Sequence, residues 1–222
     1  MRMVKVLGTV VLLLAVSLAL GAAKKKDEDG KKEDKKPAWD VSTPPGNWDP
    51  VTIDTTETTW SSVDVSPDGK TLLFDALGDL WTVPIEGGEA KGLTQGIPWD
   101  YQPRFSPDGK SIAFISDRAG GDNLWVMRAD GTGARALTEE KDNLVHNPWW
   151  SPDGLYVVAK KGFTSTRSIP AGEIWLFSLG GGGGLQLTER PNGPKDQKNM
   201  ADPAFSPDGR YVYFSQDATP GR

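Results

Sequence analysis

One tetrapeptide, Ser-Pro-Asp-Gly, occurs four times in this chain, at residues 66–69, 106–109, 151–154 and 206–209. Proline presets φ at about −65°, the value a tight turn needs at its second position. Aspartate (Asp68, Asp108, Asp153, Asp208) tolerates the next position and bonds back to the backbone. Glycine (Gly69, Gly109, Gly154, Gly209) takes a positive φ without steric penalty. These eight residues are therefore read as structural, and their repetition marks a fold built from one supersecondary unit. The turn-to-turn spacings are 40, 45 and 55 residues, so successive units differ in their loops.

The flanks have the composition of strands. After each turn come Thr71-Leu72-Leu73-Phe74, Ser111-Ile112-Ala113-Phe114-Ile115, Tyr156-Val157-Val158-Ala159 and Tyr211-Val212-Tyr213-Phe214. Before it come Val63-Asp64-Val65, Pro103-Arg104-Phe105, Pro148-Trp149-Trp150 and Pro203-Ala204-Phe205. Short β-branched or aromatic runs on both sides of a tight turn define a hairpin. A third run follows in the first three units: 79–83, 123–127 and 173–177, each with a central tryptophan. A Gly-rich turn and a short strand ending in Leu-Thr (Leu93-Thr94, Leu137-Thr138, Leu187-Thr188) close each unit. The unit is a four-stranded meander, A to D, and such modules read as β-propeller blades. The fold class is all-β: a partial β-propeller of four-stranded antiparallel blades, about three and a half of them. The repeat Pro-x-Phe/Trp-Ser-Pro-Asp-Gly, Ile-Ala-Phe, Leu-Trp-Val, Leu-Thr resembles the TolB-like propeller repeat over roughly residues 60–222.

Three segments are expected: 1–23 a signal peptide, 24–49 a charged linker and lead-in segment, and 50–222 the propeller. Arg2 and Lys5 precede an apolar stretch, and Gly21-Ala22-Ala23 supplies small residues for cleavage, the layout of a secretory signal. Residues 4–23 are also long enough to span a bilayer, so an uncleaved anchor, the one membrane contact considered, stays open beside export to the periplasm or the exterior. Residues 24–36 are Lys, Asp and Glu with one Gly, the composition of a disordered tether. Trp39, Pro44-Pro45 and Trp48 mark the lead-in segment.

The 222 residues include no Cys, which excludes disulfides, thiol catalysis and Cys-ligated zinc. Residues 37–222 hold 16 basic against 25 acidic groups, a balance that disfavours a nucleic-acid partner. Three units are complete and the fourth has strands A and B alone, so the chain reads as the N-terminal portion of a longer protein. Its first partners are then the remainder of its own propeller and a C-terminal domain. Residues 51–57 look like a strand able to complete the last blade of a closed ring.

Strand parity puts the A–B and C–D turns on one rim and the long B–C and D–A loops on the other. Long loops on a rigid scaffold are where binding concentrates. The candidate binding residues there are Trp99, Asp100, Asp117, Asp122, Asn123, His146 and Arg167, facing a protein or peptide ligand. His146 is the single histidine. Asp117, Asp122 and Asn123 offer oxygen atoms without the EF-hand spacing. No nucleophile elbow, P-loop or His-x-His pair is present, so no catalytic residue, metal ligand or cofactor is assigned to this chain.

Further stretches resemble the N-terminal propeller of exported amidohydrolases. They are Trp39-Asp40-Val41-Ser42 with Pro44-Pro45-Gly46; residues 96–100 running into Gln102-Pro103-Arg104-Phe105; residues 163–168 running into Gly172-Glu173-Ile174-Trp175; and Tyr213-Phe214-Ser215-Gln216-Asp217. The resemblance implies a divalent-metal hydrolase domain C-terminal to the propeller, acting on C–N bonds, with the propeller gating substrate. The alternatives are the propeller of a serine peptidase and a non-enzymatic periplasmic binding module of TolB type.

Overall fold

The computed structural model describes residues 40–47, 49, 51–163, 171–189 and 199–216. Residues 1–23, for which a signal peptide is expected, residues 24–39 of the expected linker and lead-in segment, Trp48 and Arg167 lie outside them. Three four-stranded antiparallel sheets and one hairpin follow each other along the chain. Blade 1 is β1 (Val63–Val65), β2 (Thr71–Ala76), β3 (Asp79–Pro84) and β4 (Lys91–Gly92). Blade 2 is β5 (Asp100–Phe105), β6 (Ser111–Ser116), β7 (Asn123–Arg128) and β8 (Arg135–Ala136). Blade 3 is β9 (Asn143–Trp150), β10 (Tyr156–Phe163), β11 (Ala171–Ser178) and β12 (Leu185–Gln186). Blade 4 is represented by β13 (Met200–Phe205) and β14 (Val212–Gln216). Strand order within each sheet is sequential, so the expected meander is what forms.

The four Ser-Pro-Asp-Gly turns are superimposable in their chemistry. In each, the serine hydroxyl donates to the aspartate Oδ1 and accepts from the backbone N–H five residues on; for Ser66 the distances are 2.6 and 2.9 Å. The aspartate also accepts a backbone N–H two residues on. These hydrogen bonds, led by the serine's, hold all four carboxyls below the ordinary aspartate range. The glycines take φ of 69–72°. A Cβ built on Gly109 would lie 3.4 Å from Pro67 of the preceding turn, and one on Gly209 3.6 Å from Pro152, so the turns stack from blade to blade along one rim.

The core lies between sheets, and strand periodicity divides it. Ile112 and Phe114 of β6 pack towards Leu73 and Leu80 of blade 1. Ala113 and Ile115 of the same strand pack towards Val145, Val157, Ala159 and Phe177 of blade 3. Val158 and Ile174 then meet Met200 of blade 4. Both faces of an interior sheet are covered, which is why its strands read as continuous apolar runs.

Two local expectations change. The D strands end before Leu-Thr, because the threonine hydroxyl turns back onto strand C. Thr138 Oγ1 accepts the Leu124 N–H (3.0 Å) and donates to Asn123 Oδ1 (2.7 Å), and Thr94 and Thr188 repeat the clamp on Asp79 and Glu173. The A strands begin earlier than their prolines. β5, β9 and β13 each slip register at Gln102-Pro103, Asn147-Pro148 and Asp202-Pro203, where the residue before proline takes φ of 52–54°. A bulge there accommodates a residue with no N–H while the strand continues through it. Residues 51–57 are exposed and form no strand among the described residues.

Candidate functional site

The bulges carry chemistry inward. Turned out of their own ladders, the N–H groups of Gln102 and Asn147 reach the preceding blade: Gln102 N–H donates to Asp75 Oδ2 (2.7 Å), and Asn147 N–H to Gln102 Oε1 (2.7 Å). Asp75 Oδ1 accepts the Ser62 N–H at 2.9 Å. Ser62, Gln102, Asn147 and Asp202 each lie four residues before a turn serine, and together they line a small cavity of about 140 Å³ where the A strands converge. Arg104 and Trp149 share that cavity, the guanidinium carbon standing 5.1 Å from the indole centroid. The turns alone do not reveal this polar ring; its sequence signature is the polar-Pro pair that begins four residues before the second, third and fourth turn serines, with Ser62-Val63 in its place at the first.

A larger cavity, about 380 Å³, opens on the long-loop rim between blades 1 and 2. Trp60, Leu77 and Trp99 form its mouth, and Asp75, Asp100, Tyr101 and Gln102 are among its lining residues. Trp99 is held from two sides. Its N–H donates to Asp117 Oδ1 (2.8 Å), and its ring lies over Gly78, where an added Cβ would come within 3.0 Å. Asp100 is 1% exposed; its Oδ2 pairs with Arg118 Nη2, while Oδ1 has no hydrogen-bond partner among the described residues. Arg118 is fixed in turn by Ser116 Oγ (2.9 Å) and by the faces of Phe114 and Trp125. Beside this group, burial raises the Asp79 carboxyl above its ordinary value, against the Thr94 hydrogen bond.

Tyr101 joins this cavity to the interface of blades 2 and 3. Its hydroxyl lies 3.1 Å from His146 Nδ1. Burial pushes the Tyr101 hydroxyl far above the tyrosine range, and the Asp122 carboxylate adds to the shift. Burial lowers His146, opposed by Asp122 and reinforced by Lys160. The pair is therefore a neutral imidazole against a neutral phenol at physiological pH.

The candidate residues separate accordingly. Trp99, Asp100 and Asp117 belong to one cavity wall. Asp122 and His146 meet through Tyr101, which sequence reasoning passed over because an isolated tyrosine in a strand carries no motif. His146 is in β9 rather than in a loop, paired across from Lys160. Asn123 is a correction: it is buried, and both ends of its amide are used inside the blade, Nδ2 on the Gly121 and Glu140 carbonyls and Oδ1 on Thr138 and the Glu140 N–H. Among the described residues no group of three or more His, Asp or Glu is placed to hold a metal ion.

Similarity to known proteins agrees with this architecture. The family described as TolB beta propeller domain matches residues 51–221. Uncharacterized peptidase YuxL of Bacillus subtilis strain 168 is 29% identical over 64% of this chain and 25% of its own length. Tricorn protease homolog 1 of Streptomyces coelicolor is 31% identical over 58% of this chain and 12% of its own. A solved structure from Agrobacterium tumefaciens, provisionally assigned as TolB, superimposes with a TM-score of 0.56 at 25% identity, covering 69% of this chain and 52% of that one. The chain thus spans a quarter or less of the two curated relatives named here. With the repeat, the meander blades and a match across most of its length in agreement, the chain belongs to the TolB β-propeller family.

Proposed function

We propose that this propeller is the substrate-gating or binding part of a larger exported hydrolase acting on C–N bonds, in the first instance a metal-dependent amidohydrolase. The observation that carries the reading is the rim asymmetry. Tight, mutually stacked turns close one rim, while the other holds the 380 Å³ cavity with its exposed tryptophans. A concave, aromatic-walled site with a few fixed polar groups is the usual form of a ligand site. Catalysis would belong to a domain beyond residue 222, and a divalent metal would be held there. The rim residues would present the scissile group to it.

A serine-peptidase form of the same arrangement is favoured by one observation, the peptidase and protease names of the two relatives. Reading the DNA downstream of Arg222 separates the forms. His-x-His with further His and Asp ligands supports the amidohydrolase, and Gly-x-Ser-x-Gly the peptidase. A stop codon soon after the final blade overturns both in favour of a periplasmic binding module. The chain alone is expected to turn over no amide substrate; hydrolysis by purified protein of this length contradicts the proposal.

A further inference from the structure

The mouth of the larger cavity is built from residues that its local structure does not call for. The β2–β3 hairpin has two central residues, Leu77 and Gly78, both at positive φ (56° and 89°). Such a turn ordinarily takes Asn or Asp at its first position. Leucine there is strained and leaves an apolar side chain 63% exposed. Trp60 also stands at positive φ and is fully exposed, and Gln102 is a third such residue in the lining. Trp99 remains 56% exposed although it is clamped by Asp117 and Gly78. Three large apolar side chains are thus displayed at one mouth on a pre-set frame.

The electrostatics select the ligand. Asp75 and Asp100 line the cavity, Asp117 holds its wall, and Arg118 engages Asp100 through Oδ2 alone. Asp100 Oδ1 is buried without a hydrogen-bond partner among the described residues. An anion would meet carboxylates. A cation is drawn both by the carboxylates and by the faces of indole rings, and an apolar body uses the remaining wall. We propose that this cavity binds an organic cation: an ammonium group, quaternary or the free amino terminus of a peptide, carrying an apolar body. The inference rests on the reading that this rim meets substrate, and is independent of which catalytic domain supplies the chemistry.

The test uses the 222-residue chain with ¹⁵N-labelled tryptophan indoles and needs no turnover. Two probe pairs are titrated: choline against its neutral isostere 3,3-dimethylbutanol, and leucinamide against N-acetyl-leucinamide. In at least one pair the cation shifts the Trp60 and Trp99 indole signals and binds about tenfold or more tighter than its neutral partner, weakening with added salt. The pair that responds tells a quaternary ammonium from a peptide amino terminus. Trp60→Ala with Trp99→Ala removes both reporter signals, so it is titrated calorimetrically with the same probes, and it shows no saturable binding at the same concentrations. Leu77→Asn suits the turn better, so it leaves the thermal midpoint unchanged or higher while weakening cation binding. Equal binding of cation and neutral partner in both pairs, no binding in either, or full affinity in the double variant overturns the proposal. Failure here leaves the hydrolase reading standing, because that reading is decided by the downstream sequence.

Discussion

The same repeat position has three fates in one molecule. Phe74, Phe114 and Phe214 each lie five residues after a turn glycine. Phe114 is fully buried between blades 1 and 2, Phe74 is half-buried, and Phe214 is 41% exposed. Neighbouring side chains follow the same division: Ile112 and Ile115 of blade 2 are buried, whereas Val63 and Val65 of blade 1 and Tyr211 and Tyr213 of blade 4 are exposed. Similar segments with similar turns differ because a propeller blade has no core of its own. It buries its faces against its neighbours, and among the described residues blades 2 and 3 have a neighbour on each side. Position in the stack, more than residue type, sets what a side chain contributes.

That comparison can be broken by substitution. The largest effect is expected for Phe114→Ala, which should lower stability by about 3–5 kcal/mol, against less than about 0.5 kcal/mol for Phe214→Ala. Urea denaturation of both variants decides it, and equal losses would dissolve the distinction between interior and terminal blades. Next comes the clamp that closes each blade. Thr138→Val keeps the shape but leaves the buried Leu124 N–H without its acceptor and takes from Asn123 Oδ1 one of its two donors, the Glu140 N–H remaining, so a loss of about 1–3 kcal/mol is expected. The matching Thr94→Val, in a more exposed setting, should lose less, and the difference between the two sharpens the blade comparison.

The smallest effect is a pH dependence confined to the interface of blades 2 and 3. Burial holds the folded His146 below its ordinary value of 6.5, so the unfolded chain takes up a proton first as pH falls. This contribution is complete above pH 6.5 and is lost as pH falls from there through the folded value. His146→Gln should flatten the thermal midpoint across that window while leaving the response of the four turn aspartates at lower pH. Those aspartates, with lowered folded values, support the fold above the ordinary aspartate range and lose their contribution as pH drops through it. An unchanged pH profile in the variant would remove His146 from the account.

Much of the scaffold was legible because its signals are local. Pro-Asp-Gly fixes a turn by φ preferences alone, and the apolar runs beside it fix the strands. The bulges at Gln102, Asn147 and Asp202 were not, since a residue before proline at positive φ is an uncommon choice; at Gln102 and Asn147 an acceptor of the preceding blade takes the freed N–H. The site was legible in part. Trp99, Asp100 and Asp117, named from loop position, lie together at one cavity wall. Trp60, Leu77 and Tyr101 were not, because their meeting depends on how two blades face each other. Asn123 misled because an amide at a loop–strand junction looks the same in sequence whether it caps a blade or meets a ligand. Arg167 lies outside the described residues.

Hydrogen exchange across the intact chain tests most directly the claim that burial comes from stacking neighbours. The account predicts the slowest amides in β6, β7, β10 and β11, and clearly faster exchange in β1 and β14 despite their matching sequence pattern. Protection that is uniform over all four blades, or greatest in β1 or β14, would contradict it.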